Sequence, residues 1–555
     1  MSRVVLSRRP DDRVSVADEH GDLVIALAEV PAFVAAREAD APRWVWDDTA
    51  RWYPPLLEAG MRVRSCHDLR LARQLLRRAP AVDQAALEGE ETPAWDRLRP
   101  GGASEPALFL ADDSTEHLDA AAEDARQLAA VSGSTEPGRL ALLLAAESSG
   151  ALAAAEMTHA GMPWRSEVHE RLLADLLGPR PPRGARPARL EALVGRLRAA
   201  LDAPGLNPDS RPHLLAALRR VGVDVDDLRA STLQAVQHPV IEPLLAYKQL
   251  ARLATTNAWD WSDRWVSRGR FRPVYQPAGS STGRWSSNGG GALSFPAQIR
   301  PAALADDGWV LVVADVAQLE PRVLAGMSRD DALARAARGS DLYEAMVREG
   351  AVASRGDAKL GLLGAMYGAT NGESGRLVAG LTRRYPRAFG LVEDAARAGE
   401  RGEPVRTLLG RGSPSVARAA ADDPDIPGPD REDLARDRRA HGRFTRNFVV
   451  QGTGAEWALC WIADLRNRLW TLATGPLVER PHLVFFLHDE VVVHAPAHLA
   501  DAVVAQVTAA ADTAGRLLFG DRAVDFPLTT AVVQSYADAG KAGTDPETVP
   551  ATSPD

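Results

Sequence analysis

The chain has 555 residues, of which 45% are hydrophobic and 25% charged, and its formal net charge at pH 7 is -9. This length and apolar content predict a globular protein of roughly two to four domains, and the negative charge excludes indiscriminate coating of nucleic acid but allows a local basic groove. Two cysteines far apart in sequence exclude a disulfide scaffold, and the lack of a signal-like N-terminus or of about 18 consecutive apolar residues predicts a cytoplasmic protein that does not span a membrane.

The N-terminal half of the chain divides into two regions by pattern. The first 165 residues combine short apolar runs with Ala, Leu and Arg stretches of helical period, which is typical of an α/β domain. The segment 178–187, GPRPPRGARP, is too rich in proline and glycine for regular structure and predicts a boundary or an exposed linker. Over 188–260 a periodic Leu, Ala and Arg pattern predicts helices.

In the C-terminal half, a Gly/Ser-rich loop from Gly279 precedes an apolar run, 309–314, which predicts a strand that ends in Asp315. Helices are predicted over 330–400, and a surface loop over the Pro/Asp-rich segment 422–430.

A long helix is predicted after Gln451, and the residues of its apolar face are Trp457, Leu459, Ile462, Leu465 and Leu469. The run LVFFLHDEVVVHAP predicts a β-hairpin whose tip carries Asp489 and Glu490. The stretch from Ala537 to the end predicts a disordered tail.

Asp315 and Asp489 belong to separate predicted strands, and they converge if those strands are neighbours in one sheet. Paired carboxylates can hold Mg²⁺ ions about 3.5 to 4 Å apart, one activating an attacking hydroxyl and the other stabilising the departing phosphate oxygens. The segment RGDAKLGLLGAMYG places Arg355, Lys359 and Tyr367 along one helix face, where the basic pair would meet a triphosphate. These residues together predict phosphoryl transfer.

The segments VVADVAQLEPR, RGDAKLGLLGAMYG and HDE resemble the three polymerase motifs of the bacterial DNA polymerase I family, called family A. The resemblance extends over roughly residues 238–540 through five flanking segments, which are HPVIEPLLAYKQLARLATTN, TGRWSS, LSFPAQIR, TLLGRGS and RFTRNFVVQGTGAE.

The resemblance implies an α/β and α+β multidomain protein with the right-hand polymerase fold. In this fold an antiparallel palm sheet, helical fingers and a helical thumb follow an α/β domain similar to a 3′–5′ exonuclease. The implied domains are the exonuclease-like domain at 1–165, the linker and thumb at 166–278, the first part of the palm at 279–334, the fingers at 335–446, the second part of the palm at 447–536 and the tail at 537–555.

By motif position, the resemblance implies that Asp315, Asp489 and Lys359 are catalytic and that two Mg²⁺ ions, which Mn²⁺ can replace, are bound. The implied metal ligands are Asp315, the carbonyl of Val316, Asp489 and Glu490. The implied nucleotide site consists of Arg355, Lys359, Leu363, Tyr367, Gln318, Glu320 and His488. The implied DNA contacts are Arg284, Asn447, Gln451, Arg443, Arg322 and Lys248.

Three of these residues have more specific implied roles. Arg355 and Lys359 would clamp the triphosphate, and Lys359 could also protonate the leaving pyrophosphate, for which an arginine is poorly suited. Glu320 occupies the position of a steric gate against the ribose 2′-hydroxyl.

The sequence departs from the family pattern in the first two of the three motifs. Val316 and Ala317 stand where tyrosine and serine are usual, Pro321 interrupts the start of a helix, and Leu362 and Leu363 replace an asparagine and an aromatic residue. Without that ring the incoming nucleotide loses a stacking surface worth roughly 1 to 3 kcal/mol. The sequence therefore predicts weak nucleotide affinity and altered discrimination against dideoxynucleotides.

The N-terminal domain lacks the D-x-E carboxylate pair of a metal-dependent exonuclease anywhere in residues 1–190. It is therefore predicted to be a degenerate scaffold without proofreading, in which Asp68 is the one candidate remnant.

The implied partners of this monomer are primer-template DNA and deoxynucleoside triphosphates, in repair or gap filling. Two alternatives remain open. One is a catalytically weak, DNA-binding repair scaffold, which is suggested by Leu363 and the silent N-terminal domain. The other is a single-subunit RNA polymerase, against which Glu320 argues.

Overall fold

The structure is a computed structural model that describes residues 2–9, 11–97, 118–287, 290, 291, 293, 295–368, 372–414, 428–520 and 524–541. The chain divides into two compact units. The first comprises Met1–Ala160, Val274–Ser287 and Gly308–Val533, and the second comprises Gly161–Pro273, Asn288–Asp307 and Gln534–Asp555. The N-terminal segment thus shares a unit with Asp315 and Asp489, while the domain limits drawn from the sequence stay predictions.

The N-terminal segment is an α/β structure, as its sequence predicts. Its elements are β1 (Arg3–Arg8), β2 (Arg13–Asp18), β3 (Gly21–Ala26), α1 (Val30–Arg37), β4 (Arg43–Trp46), α2 (Thr49–Glu58), β5 (Ser65–Asp68), α3 (Leu69–Leu76), α4 (Thr92–Arg97), α5 (Ala120–Ser132) and α6 (Pro137–Ala160). The strand order is β3-β2-β1-β4-β5, with β1 parallel to β4 and β4 parallel to β5. The apolar faces of β1, β2 and β4 pack on α1 and α2.

Helix α6 runs through the core of the first unit. Its sequence is rich in alanine and leucine all round, which is typical of a helix buried on most sides. By length and composition alone it could cross a membrane, but 72% of its most apolar window is buried inside the protein. It packs on α2, α3 and β5, where Ser148 donates its hydroxyl to the Leu144 carbonyl and accepts the Asp68 N–H.

The second unit is mainly helical. Its elements are β6 (Met162–Pro163), α7 (Ser166–Leu177), α8 (Ala188–Ala200), α9 (Arg211–Arg220), α10 (Ala230–Gln234), α11 (Ile241–Thr256), α12 (Trp259–Trp265), β7 (Val266–Ser267) and β8 (Arg270–Phe271). Its core contains a cluster of aromatic rings in which Trp164 lies 5.4 Å from Trp261 and 5.5 Å from Phe295 between ring centroids.

The remaining elements return to the first unit. They are β9 (Tyr275–Gln276), β10 (Ser286–Ser287), β11 (Trp309–Val316), α13 (Leu319–Ser328), α14 (Asp331–Ala336), α15 (Leu342–Arg348), α16 (Arg355–Tyr367), α17 (Gly372–Arg384), α18 (Pro386–Glu400), α19 (Gly428–Trp470), β12 (His482–Leu487), β13 (Glu490–Pro496), α20 (Ala500–Phe519) and β14 (Leu528–Val533). Four strands form an antiparallel sheet of order β12-β13-β11-β14, so β11 is central.

The predicted strand at 309–314 is confirmed as β11, and the predicted hairpin is confirmed as β12 and β13. The hairpin loop consists of His488 and Asp489, whereas Glu490 is already paired in β13, so the predicted tip is wrong by one residue.

The long helix is confirmed, but α19 begins at Gly428 and not after Gln451. Its predicted apolar face is buried at Trp457, Leu459, Ile462, Leu465 and Leu469. Most of the predicted loop 422–430 lies outside the described residues. The part of the predicted tail from 542 to 555 lies outside them as well. The first residues of that tail belong to a short 3-10 helix, Tyr536–Lys541, so they are not disordered.

A buried ion-pair network joins α6 to α19. Glu156 accepts hydrogen bonds from the Tyr53 hydroxyl at 2.7 Å and from Arg466 Nε at 3.0 Å, and Arg62 pairs with the same carboxylate. Burial alone would raise the pKa of Glu156, but Arg466 and Arg62 hold it below its ordinary value. Arg466 also donates to the carbonyl of Val63, so one guanidinium connects three segments of the chain.

Replacing Glu156 with alanine is expected to lower the free energy of unfolding by about 3 to 5 kcal/mol, because it leaves the Arg466 charge buried without its partner. Urea unfolding followed by circular dichroism measures the change. The matched control is Asp464→Ala on α19, the helix of Arg466, which removes the partly exposed i,i+4 pair with Arg468 and is expected to cost less than about 1 kcal/mol. Equal losses in the two variants would contradict the expectation.

A second buried carboxylate fixes the turn before α19. Glu456 is fully buried and accepts hydrogen bonds from the Thr407 hydroxyl and, at 3.0 Å, from the Leu409 N–H. Burial raises the pKa of Glu456 to about 7 from an ordinary 4.5. Because the folded state binds this proton more tightly than the unfolded state, its contribution to stability is present below about pH 4.5 and is lost as the pH rises to about 7.

The variant Glu456→Gln mimics the protonated side chain and lacks this titration. We expect the free energy of unfolding of the wild type, relative to that of the variant, to fall between pH 5 and pH 8. Urea unfolding of both proteins at each pH gives this difference, in which the titration of all other groups cancels. Parallel pH profiles for the two proteins would show that Glu456 does not titrate in this way.

Candidate active site

The four-stranded sheet β12-β13-β11-β14, called the palm sheet below, brings Asp315 and Asp489 together. Asp315 lies near the end of β11 directly opposite Glu490, and the N–H of Val316 donates to the carbonyl of Asp489 at 3.0 Å. Burial raises the pKa of both aspartates, and repulsion by Asp489 and Glu490 raises that of Asp315 further. Two partly buried carboxylates that repel each other are suited to a divalent cation with a preference for oxygen ligands.

The metal ligands predicted from the sequence are only partly brought together. Within the described ranges, no three His, Cys, Asp or Glu side chains converge on a point where they could share a metal ion. Glu490 lies opposite Asp315 and raises its pKa, and its role as a third carboxylate ligand stays a prediction. The two aspartates and the Val316 carbonyl stay as predicted ligands.

His488 precedes Asp489 in the hairpin loop, with φ 57°, a left-handed conformation that a two-residue hairpin loop requires. Burial first, and then the charge of Arg284, lowers the pKa of His488 to about 4, so the ring is neutral at physiological pH. Its Nδ1 is buried without a hydrogen-bond partner in the described part of the chain. A neutral imidazole whose Nδ1 has no hydrogen-bond partner in the described residues could contact a bound nucleotide. The predicted role of His488 in the nucleotide site stays a prediction.

Glu320 connects two other predicted site residues, Arg284 and Tyr367. Its Oε1 accepts a hydrogen bond from Arg284 Nη2 at 2.5 Å, and its Oε2 accepts one from the Tyr367 hydroxyl at 2.8 Å. Arg284 also lies near Asp489, whose pKa it lowers against the effect of burial. Glu320, the predicted gate, thus forms one hydrogen-bonded group with Arg284, a predicted DNA contact, and Tyr367 of α16, beside the paired aspartates.

Helix α16 presents the row predicted to face the nucleotide. It begins after Ser354, whose hydroxyl accepts the N–H of Asp357, and Arg355, Lys359 and Leu363 follow at steps of four residues. Lys359 and Leu363 are half-buried, whereas Leu362 is fully buried in the core. Of the two leucines that depart from the family pattern, only Leu363 is therefore placed to contact a nucleotide.

Arg355 is not free in this structure. Its Nε donates to Asp341 at 2.9 Å, and its guanidinium lies 5.7 Å from the centroid of the Tyr343 ring. Gln318, in the left-handed conformation with φ 56°, donates to the same carboxylate at 2.8 Å. Burial alone would raise the pKa of Asp341, but the hydrogen bonds that its carboxylate accepts hold the pKa below its ordinary value. The donors include the N–H groups of Tyr343 and Glu344.

Asp341 was missed by sequence analysis, although a signal for it existed. It lies three residues before Glu344, and an acidic cap followed three residues later by glutamate marks a helix start. Asp341 does cap α15. That pattern predicts the cap but not its pairing with Arg355, which depends on how two helices pack.

Arg322 was predicted to contact DNA, and this prediction is wrong. The side chain is fully buried, and all three guanidinium nitrogens donate within the protein. Their acceptors are the carbonyls of Ala317, Ala337, Gly339, Ser340 and Asp525 and the side chain of Gln318. Arg322 is a structural anchor for α13.

The other predicted DNA contacts stay predictions. Asn447, Gln451 and the exposed Arg443 lie on α19, and Asn447 Oδ1 is buried without a partner in the described part of the protein. Lys248 lies on α11 in the second unit, where burial lowers its pKa.

Asp68 acts as a helix cap. Its carboxylate accepts the N–H groups of Leu71 at 2.9 Å and Thr49 at 2.8 Å, and the side chain is fully buried. Both oxygens are thus used by the backbone, and Asp68 is not a remnant metal ligand in this arrangement. The lack of proofreading stays a prediction.

Comparisons with known proteins agree with this geometry. The family described as DNA polymerase family A matches residues 219–534. Thermostable DNA polymerase I from Thermus aquaticus is 28% identical over 304 residues, covering 49% of this chain and 34% of that protein, and the Thermus thermophilus enzyme is 30% identical over 306 residues, covering 50% and 34%. The chain spans about a third of the length of these relatives.

A solved structure has the same fold. The POL domain of Pol1 from M. smegmatis, in complex with DNA primer-template and dNTP, aligns with a TM-score of 0.70 and 19% identity over 97% of this chain and 96% of that one. At this identity the likeness shows the fold alone. The family match covers more than half of the sequence, and the chain therefore belongs to DNA polymerase family A.

Proposed function

We propose that this chain is a DNA-directed DNA polymerase that adds deoxynucleotides to a primer, in repair or gap filling, without proofreading. The observation that carries the proposal is the convergence of Asp315 and Asp489 at adjoining strand ends, with Glu320 and Tyr367 hydrogen-bonded beside them. The relatives are named DNA polymerase I, which supports the same activity for this shorter chain.

The carboxylates of Asp315 and Asp489 would hold the metal ions. Their oxygen donors and their mutual repulsion fit Mg²⁺, with Mn²⁺ as a substitute. Two such ions would activate the primer hydroxyl and neutralise the charge of the departing pyrophosphate.

The side chains of α16 would bind the triphosphate. Arg355 has to exchange Asp341 for phosphate oxygens, and because this ion pair is partly exposed, the exchange costs little. Lys359, one turn further along, supplies a second positive charge and a proton for the leaving group. Glu320, held by Arg284 and Tyr367, would exclude a ribose 2′-hydroxyl.

The variant Asp489→Asn is expected to lower primer extension by at least about a hundredfold, the effect of removing a group that stabilises transition-state charge. The assay extends a primed DNA template with Mg²⁺ and each dNTP or rNTP. Asp512→Asn, an exposed position on α20, is the control and should extend like the wild type.

Three outcomes would count against the proposal. Undiminished extension by Asp489→Asn would remove Asp489 from the site. Tight DNA binding without extension by the wild type would favour a repair scaffold, and a preference for rNTPs would favour an RNA polymerase.

The variant Leu363→Phe is expected to lower the KM for dNTP about tenfold, because an aromatic ring restores a stacking surface worth roughly 1 to 3 kcal/mol. Steady-state extension with a varied dNTP concentration measures the effect. Leu517→Phe, at an exposed leucine on α20, should leave the KM unchanged. A wild-type KM in Leu363→Phe would contradict the role of position 363.

A further inference from the structure

The loop between β9 and β10 carries Arg284, and α6 packs directly against it. The backbone of α6 approaches the loop at Gly150, where a Cβ atom would lie 3.5 Å from the Trp285 ring. On its other side Trp285 contacts Phe486 of β12, with ring centroids 4.9 Å apart. Tyr275 exchanges two hydrogen bonds of 3.1 Å with the backbone of Phe486. The loop is thus held between α6 and the strand that leads to the hairpin.

A buried ion pair reaches the same loop. Glu147 of α6 accepts a hydrogen bond from Arg411, and both side chains are at least 95% buried. The Arg411 guanidinium lies against Gly283, where a Cβ atom would be 2.5 Å from its Cζ. Gly283 has φ +84° and directly precedes Arg284. Any displacement of this guanidinium therefore acts on the residue next to Arg284.

The backbone of Arg411 is fixed independently of Glu147. Its N–H donates to the Thr407 hydroxyl at 3.0 Å, and its carbonyl accepts the Thr407 N–H at 3.0 Å. Thr407 in turn donates to Glu456 of α19. Because the backbone is held in this way, the carboxylate of Glu147 determines where the guanidinium end lies.

We propose that Glu147 is a positioning residue for nucleotide selection. It holds Arg411 against Gly283, which places Arg284 so that its guanidinium holds Glu320 in the gate position. Glu147 binds Arg411 and acts through it. The inference rests on the proposed polymerase activity.

The variant Glu147→Gln removes the charge that anchors Arg411. We expect the preference for dNTP over rNTP, taken as the ratio of kcat/KM values, to fall about tenfold, within the range of effects seen for residues that couple through a packed network. The value of kcat with dNTP should change less than the ratio. Single-nucleotide extension with dNTP and rNTP at varied concentrations gives all these constants.

The matched control is Glu156→Gln, which weakens another buried ion pair on the same helix, away from the loop. It should lower the melting temperature and keep the wild-type preference. The double variant Glu147→Gln with Arg411→Gln should have the same preference as Arg411→Gln alone, because both changes remove one contact.

Arg411→Lys provides a second route if Glu147→Gln does not fold. It keeps the charge but lacks the planar group that lies against Gly283, so the preference should again fall. A wild-type preference in a folded Glu147→Gln or Arg411→Lys protein would overturn the positioning role while leaving the polymerase activity in place. A wild type that extends no primer would overturn the proposed function, and the positioning role with it.

Discussion

The antiparallel pairing of β11 with β13 brings like-charged carboxylates together, and the rest of the active site depends on how their repulsion is balanced. It sets Asp315 opposite Glu490 and beside Asp489, and burial together with repulsion raises the pKa of Asp315. Like charges at this depth are unfavourable unless a cation lies near. Arg284 is the cation that the chain itself supplies, since it lowers the pKa of Asp489 against the effect of burial. Strand pairing therefore defines the site, and the position of one arginine moderates its charge.

The N-terminal segment helps to hold the loop that carries Arg284. The loop of Arg284 is held between Phe486 of the palm sheet and α6, the last helix of that segment. The buried pair of Glu156 and Arg466 ties the same helix to α19. Removing the N-terminal α/β region would therefore expose the core around α6 and remove one of the two supports of this loop.

The elements with a strong hydrophobic pattern could be predicted from the sequence, and the partners of polar groups could not. The strand before Asp315 and the hairpin around Asp489 follow from short apolar runs of β-branched residues next to polar ones. The start of α19 was placed too late because its first turns are rich in Arg and Asp and show no apolar period. Arg322 was assigned to DNA because a sequence cannot reveal that distant carbonyls, such as that of Asp525, use its donors.

Several charged groups of the site pair with one another. Arg355 pairs with Asp341, and Arg284 and Tyr367 both bind Glu320, whereas the paired aspartates keep their repulsion. A metal-bound nucleotide would relieve that repulsion but has to compete with Asp341 for Arg355. Because the side chains of that ion pair are 28 to 35% exposed, it is weak enough to exchange. In the proposed polymerase, relief of the repulsion between Asp315 and Asp489 would therefore favour binding of the metal-bound nucleotide, and the weak pair of Arg355 with Asp341 would oppose it only slightly.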